Sequence, residues 1–479
     1  MRKTKIIATM GPATDNPDVL RPMLKAGLDV ARFNFSHGTH EDHKKRIDNF
    51  RALCKEVGVS VALLADTKGP EIRLGVFKDG EVELVAGSSF TLTTDMIEGD
   101  VTRASVTYEN LHEEVAPGTR ILLDDGLIEL SVESVQGKDI VTRVVDGGSI
   151  SNRKGVNVPG VRLNMPYVSS SDRADLRFFI EMGFDLIAAS FCRSEDDIRN
   201  MRSELARVDD KNKIRIIAKI ENADGLKNID AILEAADGIM VARGDLGVEM
   251  AYEELPILQK DLISKALYRG KEVVTATQML ESMIHNPRPT RAETSDVANA
   301  IYDGTNAIML SGETAAGKYP LEAFLAMARI ATRIESSIDY RKRFVRDVHR
   351  PEESVTNAIS HATVTAAHEL EAACIITVSM SGLTARNVAK YRPLCPIVAC
   401  TPDPVTARQL KLVWGAVPIL TKEEVDTSDL FTHAVDLAVE AGFCRTGELV
   451  VITAGVPVGH SGTTNLLKVH VVGEKAFIY

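Results

Sequence analysis

Eight short apolar runs, rich in β-branched residues and separated by helical stretches, constrain this chain more than any other feature. They fall at residues 4–8, 29–33, 61–66, 186–190, 214–220, 238–242, 272–276 and 307–310. A strand that is apolar on both faces is buried between helices, which is the habit of parallel sheets. Strand and helix alternating in this way predict an α/β domain, and eight such strands predict a (β/α)8 barrel. Most of the runs end abruptly in polar residues: Arg32 to Ser36, Asp66 with Thr67, Lys219 with Glu221, Gly244 with Asp245, Thr277 with Gln278, and Ser311 with Glu313. Barrels of this kind carry their chemistry at the C-terminal ends of the strands.

The helices between the runs are marked at their ends. Asn16 is a capping residue ahead of Pro17, and Gly27 closes the same helix. Ser194 with Asp197 and Thr290 with Glu293 both read as capping boxes. After the third run the rhythm changes. From about residue 70 to 166, short alternating segments are broken by Asp79-Gly80, Asp125-Gly126, Gly147-Gly148 and Pro159-Gly160, which predicts an all-β insert. A further unit begins near residue 339, with a long helix at 354–370 and strands near 374–378, 397–399, 417–420, 449–453 and 469–472. That pattern predicts a doubly wound α/β sheet. The expected domains are thus 1–69 with 167–338 for the barrel, 70–166 for the all-β insert, and 339–479 for the C-terminal unit.

Composition narrows the function. A net charge of −11 argues against broad nucleic-acid binding. No apolar run approaches a membrane span, and the N-terminus runs straight into a strand, leaving no room for a signal peptide. Six cysteines without paired CxxC spacing disfavour zinc and a disulfide framework and fit a reducing, cytoplasmic compartment.

Lys219 and Glu221 are two residues apart, so on a strand they face the same side. Glu221 and Asp245, from successive strands, are then placed to share one divalent cation, with Lys219 beside it. Two carboxylates, completed by substrate oxygens and water, are the usual grip on Mg2+. A cation with a lysine is what a transferring phosphoryl group requires. A structural salt-bridge network at the barrel top is the alternative for the same residues. The turn Gly244-Asp245-Leu246-Gly247 reads as the start of a short helix whose N–H groups would receive a substrate carboxylate.

At these residues the chain resembles the pyruvate kinase family over nearly its full length. The matching segments are Thr9-Met10-Gly11-Pro12-Ala13, Arg32-Phe33-Asn34-Phe35-Ser36-His37-Gly38, Asp66-Thr67-Lys68-Gly69-Pro70-Glu71-Ile72-Arg73, Lys154-Gly155-Val156-Asn157, Lys219-Ile220-Glu221-Asn222, Ala242-Arg243-Gly244-Asp245, Thr277-Gln278-Met279 and Asn286-Pro287-Arg288-Pro289-Thr290-Arg291-Ala292-Glu293. Their order and spacing together are highly specific. The resemblance implies that 70–166 is a mobile β-barrel lid inserted in the barrel and that the C-terminal unit is regulatory. It also implies a homotetramer that transfers phosphate from phosphoenolpyruvate to ADP, giving pyruvate and ATP at the last step of glycolysis, with Mg2+ (or Mn2+) and K+ as cofactors. Ending at Tyr479, the chain is expected to lack the extra phosphohistidine-like domain of some bacterial relatives.

Residue by residue, the resemblance implies that Lys219 stabilises the moving phosphoryl group and the departing enolate. Thr277 contacts substrate and is linked to enolate protonation. Arg32 binds the phosphate of phosphoenolpyruvate, beside Gly244 and Asp245. Glu221 and Asp245 hold Mg2+. Asn34, Ser36, Asp66 and Thr67 bind K+, and Glu71 marks the potassium-dependent members. His37, Arg73 and Lys154, with Asn34, serve the nucleotide. Asp125-Gly126 is read as a hairpin turn, with contact to metal or nucleotide as its alternative. In the C-terminal unit, Ser379, Ser381, Gly382 and Thr384, with Ser461, Gly462 and Thr463, match loops that hold an activating sugar phosphate or AMP. The second of those loops departs from animal and yeast-type patterns. Trp414, the sole tryptophan, is read as packing. Two other readings remain: a different Mg2+-dependent barrel enzyme acting on phosphoenolpyruvate or pyruvate, and an inactive metabolite sensor.

Overall fold

The computed structural model describes residues 1–161, 163–346, 354–422, 427–456 and 464–474. Eight parallel strands close a barrel: β1 (Lys5–Thr9), β2 (Val30–Asn34), β3 (Ala62–Asp66), β4 (Leu186–Ala189), β5 (Arg215–Ile220), β6 (Gly238–Ala242), β7 (Glu272–Ala276) and β8 (Ala307–Leu310). Each pairs with its successor, and β8 returns to β1 with Ala307 opposite Lys5. The period of two explains why the runs are apolar throughout. Ile7, Val30, Leu64, Ile217, Met240 and Val274 pack inside the barrel, while Ile6, Ala31, Leu63, Ile216, Ile239 and Val273 face the helices.

Local signals set most of the helix starts. Asn16 accepts from the Asp18 N–H ahead of Pro17–Lys25, and Thr290 and Glu293 cap Arg291–Asp303 reciprocally. The expected box at Ser194 does not form. Asp197 instead accepts the Arg193 N–H (2.9 Å) and pairs with the Arg193 guanidinium, so a charged partner displaces the weaker cap.

The insert is a seven-stranded sheet, together with a two-stranded ribbon of Glu81–Leu84 and Gly148–Ser151. The sheet's edge strands, Ile72–Arg73 and Arg103–Ser105, are stitched by an isolated antiparallel bridge between Leu74 and Val106. It encloses its own core, with Phe90, Leu92, Ile121, Leu130 and Ile140 at its centre.

The C-terminal unit holds β9 (Cys374–Val378), β10 (Ile397–Thr401), β11 (Ala416–Leu420), β12 (Leu449–Ala454) and β13 (Leu466–Val471) in the order β11-β10-β9-β12-β13. Four strands run parallel and β13 is antiparallel to β12. This unit closes the base of the barrel. Leu412 joins the barrel's interior cluster, Lys5 Nζ donates to the Ala416 carbonyl at 2.7 Å, and the Gly415 N–H donates to the Lys3 carbonyl at 2.9 Å. Arg408 Nε donates to Asp185 Oδ1 at 2.8 Å just below β4, and Arg386 Nε donates to Glu272 Oε1 at 2.8 Å at the start of β7. No helix among the described residues is long and apolar enough to cross a membrane.

Asp185 is fully buried, and burial raises its carboxyl pKa although Arg408 pulls the other way. Arg408→Ala should therefore lower unfolding stability by roughly 1.5–3 kcal/mol at neutral pH, the worth of a hydrogen bond to a charged group. A carboxyl whose folded pKa is raised costs stability above that pKa and ceases to cost below its unfolded value. The deficit in the variant should thus shrink as pH falls toward about 4. Chemical denaturation of both proteins across that range checks this.

Candidate active site

Three strand ends bring the central charges together. Asp66 closes β3, Arg32 lies near the end of β2, and Lys219 lies near the end of β5. Arg32 Nε donates to Asp66 Oδ2 at 2.6 Å, and its Nη1 donates to Thr9 Oγ1 at 2.8 Å. Lys219 Nζ donates to Asp66 Oδ1 at 3.2 Å and to Ser190 Oγ at 2.9 Å. Burial opposes the charge on Asp66, but Arg32 and then Lys219 overcome it and hold the carboxyl below its usual range. Burial likewise works against the Lys219 ammonium, but Asp66, Glu221 and Asp245 outweigh it and raise its pKa.

Glu221 follows β5 directly. Its Oε2 accepts the Phe191 N–H at 2.5 Å, made possible by the left-handed backbone of Phe191 (φ 52°). Its Oε1 pairs with Lys219 Nζ at 2.8 Å. Burial pushes the Glu221 carboxyl up, Lys219 pulls it down, and the nearby Asp245 adds to the rise. A buried carboxylate beside a second carboxylate is a donor set that fits a hard divalent cation. No group of three or more metal-ligating side chains occurs among the described residues. Two carboxylates with the remaining positions left to substrate and water suit Mg2+ better than a cation that needs a full protein cage.

Gly244 and Asp245 open the short helix Arg243–Glu249 at the end of β6. The Gly244 N–H donates to Thr277 Oγ1 at 2.8 Å, and that hydroxyl donates to the Ala276 carbonyl at 2.6 Å. Thr277 and Gln278 both have left-handed backbones (φ 66° and 55°), which costs non-glycine residues of order 1–3 kcal/mol. Arg243 holds this corner: its Nη2 donates to the Thr277 carbonyl at 2.7 Å, and its Nη1 donates to Asp296 at 2.6 Å.

Asn34 and Asp66 are register partners on β2 and β3, with Ser36 and Thr67 just beyond. Asn34 Oδ1 accepts the Ser36 N–H at 3.1 Å, and Thr67 Oγ1 accepts the Ser190 N–H at 3.1 Å.

A cavity of about 570 Å3 separates the insert from the barrel mouth. His37, Phe191, Asn222 and Asp245 line it from the barrel, and Arg73, Asp124, Asp125 and Lys154 line it from the insert. The volume is that of a ligand pocket. Arg32, Lys219, Glu221 and Thr277 are not among its walls, so Asp245 is where the cavity meets the charged cluster. Arg73 forms a two-pronged pair with Glu71 (2.7 and 2.8 Å), and Lys154 Nζ pairs with Asp124 at 2.9 Å. Asp124, Asp125 and Gly126 form a left-handed turn that reaches the barrel, where a Cβ on Gly126 would meet Val248 at 3.6 Å. Burial and then Asp245 raise the Asp125 carboxyl.

In the C-terminal unit, Thr384 is buried against Thr464 (2.9 Å), and Gly382 takes a left-handed backbone at the start of Leu383–Ala389. Ser381 lines a second cavity, of about 510 Å3, with Arg202, Lys213 and Arg215 from the barrel side. Ser379 follows β9, and its N–H donates to the Cys400 carbonyl at 3.1 Å. Ser461, Gly462 and Thr463 lie outside the described residues.

Sequence reasoning missed Ser190, Phe191 and Arg243. Ser190 has the strand-end position that singled out the others, and that signal was enough to find it. Glu313 sat among the polar strand ends, yet it is fully buried and accepts the backbone N–H groups of Leu280 and Ser311, a structural duty.

An eight-stranded parallel barrel with lysine, paired carboxylates and a roofed anion-sized cavity at its mouth is the architecture of a metal-assisted phosphotransferase. Residues 1–324 match the family model for the pyruvate kinase barrel domain, and 357–470 match that for the pyruvate kinase alpha/beta domain. The chain is 52% identical to a pyruvate kinase of Geobacillus stearothermophilus over 478 residues, 49% to one of Staphylococcus saprophyticus and 48% to one of Staphylococcus aureus, each over 477 residues. These matches cover 99% of this chain and 81% of each relative. The chain belongs to the pyruvate kinase family. Its reaction is phosphoryl transfer between phosphoenolpyruvate and ADP, a glycolytic step, in a family that works with Mg2+ and K+.

Ser190→Ala removes the hydroxyl that accepts from Lys219 and donates to Asp66. Turnover should fall about tenfold, the size of one hydrogen bond of about 1–1.5 kcal/mol. Steady-state kinetics should place the loss in kcat rather than in KM.

Proposed function

We propose that phosphoryl transfer occurs at the barrel mouth between the Lys219 cluster and the roofed cavity. The observation that carries this reading is the buried Glu221 carboxylate, its Oε1 paired with Lys219 Nζ at 2.8 Å and close to Asp245. Glu221 and Asp245 would hold Mg2+, which when bound polarises the phosphoryl oxygens as a Lewis acid. Arg32, fixed by Asp66 and Thr9, presents its remaining guanidinium edge to the phosphate of phosphoenolpyruvate. Lys219, held as a cation, neutralises charge on the migrating phosphoryl group and on the enolate oxygen it leaves. Thr277 and Arg243 fix the Gly244–Asp245 corner against the substrate carboxylate. The Thr277 hydroxyl is engaged with the Ala276 carbonyl, so an enolate proton would reach carbon through water near this residue rather than from the hydroxyl directly. His37, Arg73 and Lys154 face the ADP side, where nucleotide phosphates would compete with Glu71 and Asp124 for the two cations.

Pyruvate formation from phosphoenolpyruvate and ADP tests the assignment. Lys219→Met should fold normally and lose about 100- to 1000-fold in kcat, the loss typical of one preorganised electrostatic donor. Glu221→Gln should raise the Mg2+ concentration needed for half-maximal rate. Near-normal turnover in the lysine variant would remove the proposal.

Asn34, Ser36, Asp66 and Thr67 offer oxygens with a single formal charge, a set suited to a monovalent cation, and Glu71 supplies no positive charge of its own in that region. The enzyme is accordingly expected to need K+. Activity should collapse when potassium is replaced by tetramethylammonium at constant ionic strength. Unchanged activity there would exclude the potassium assignment. Control by a phosphorylated metabolite near Ser379, Ser381, Gly382 and Thr384, and assembly as a homotetramer, belong to the same proposal. Arg202, Lys213 and Arg215 line the cavity beside Ser381 with their carboxylate partners Asp237 and Asp403, which a phosphate would have to displace; family membership supports both assignments.

A further inference from the structure

Two chain crossings join the insert to the barrel, and both meet at one carbonyl. On the outgoing side Gly69 has a left-handed backbone (φ 68°), and a Cβ there would lie 2.8 Å from the Ser190 carbonyl oxygen. On the return side the Tyr167 hydroxyl donates to the same oxygen at 3.0 Å. Packing marks where the return crossing passes from one body to the other. Leu163 and Met165 lie against the insert's core, Tyr167 and Val168 belong to the barrel's core, and Pro166 stands between them.

Arg193 grips the insert's side of that boundary from the barrel. Its Nη1 donates to the Leu163 carbonyl and its Nη2 to the Met165 carbonyl, both at 3.1 Å. Between these two residues the Asn164 N–H turns the other way, to Glu114 of the insert at 3.2 Å. Asp197 fixes the guanidinium from behind, accepting from Nε and Nη2 at 3.3 Å each, and the Arg193 carbonyl accepts Asn228 Nδ2 at 2.8 Å. A planar fork with donors on three nitrogens can serve two carbonyls and a carboxylate at once, whereas an ammonium is a single point. The loop that carries Arg193 is also tied to the charged cluster. Ser190 Oγ accepts from Lys219 at 2.9 Å, and the Phe191 N–H donates to Glu221 at 2.5 Å.

We propose that Arg193 is a positioning residue for phosphoryl transfer: by holding the return crossing, it sets the insert, with Arg73 and Lys154, over the barrel mouth. The inference rests on the reading in which those two cations serve ADP. Because the loop 190–193 touches Lys219 and Glu221 as well as both crossings, the insert is held relative to the charged cluster itself. Arg193 also lines the cavity, so direct contact with the nucleotide is the rival that an experiment must exclude.

A double-mutant cycle on the full-length enzyme separates the two. Arg193→Lys keeps the charge beside Asp197 and loses the fork. Its KM for ADP should rise about tenfold, the effect of one charge-assisted hydrogen bond lost, with the KM for phosphoenolpyruvate unchanged. In a Lys154→Met background the same change should have much less effect on ADP, since a residue acting through the insert's lysine is not additive with its loss. Hydrogen exchange should quicken in peptides covering Lys154–Val158 and Leu163–Tyr167 and stay as it was in the barrel strands. Tyr167→Phe, which removes the other bond on the return crossing, should move these readouts in the same direction and covers the case in which the arginine variant does not fold. Additive effects on ADP overturn the proposal, as do equal rises in both KM values, unchanged kinetics, or exchange quickened throughout the chain. If Lys154→Met alone leaves the KM for ADP untouched, the nucleotide assignment falls, and exchange decides for Arg193: quickening confined to the two insert peptides supports its hold on the crossing, and unchanged exchange overturns it.

Discussion

Asp66 is a carboxylate at 1% exposure with a guanidinium on one oxygen and an ammonium near the other. Removing a carboxylate from water costs several kcal/mol even after relaxation, and its partners repay that only if they sit well. Arg32 does so at 2.6 Å, and Lys219 with Ser190 completes the other side. Such a cluster contributes little net stability compared with apolar packing. What it supplies is position. Two long, flexible cations from separate strands are held in single arrangements before any substrate arrives, so reorganisation is not needed when charge moves.

The charge balance of the same cluster decides the role of Lys219. Asp66, Glu221 and Asp245 all raise its pKa. A general acid or base works best with a pKa near the operating pH. An ammonium driven the other way stays charged, which suits it to neutralising phosphoryl and enolate oxygens and unsuits it to shuttling a proton. Three carboxylates against Arg32 and Lys219 also leave the mouth with surplus negative charge, which repels an anionic substrate. A divalent cation at Glu221 and Asp245 would reverse that sign.

The barrel was legible because its strands are buried on both faces, so composition alone marks them, and every predicted strand limit lies within one residue of the observed one. The polar strand ends were legible because charge directly after a buried run is costly unless the chain has there reached water or a charged partner. Ser190 was passed over although the same strand-end position had singled out the uncharged Thr67, Thr277 and Ser311. The left-handed backbones of Phe191 and Thr277 have no sequence signature, since neither is glycine or asparagine. The Ser194 box failed because Arg193, adjacent in sequence, competes for Asp197. The reversal of β13 is equally silent: an edge strand reads the same in either direction.

Several barrel strands are gripped at both ends. β1 starts at Lys5, which donates to the Ala416 carbonyl, and ends at Thr9, which accepts from Arg32. β4 follows Asp185, held by Arg408, and leads into Ser190, which meets Lys219. β7 starts at Glu272, held by Arg386, and leads into Thr277, which meets Gly244. A strand of five residues spans about 17 Å and is braced by neighbours on both sides. It behaves as a strut, with little room to absorb a shift at its base by bending. Contacts made by the C-terminal unit under the barrel therefore set the height and tilt of the strand ends that carry the charges. This arrangement explains why so many buried ionic groups are spent on a seam far from the chemistry, where apolar packing would hold the two units together as firmly but fix no single register between them.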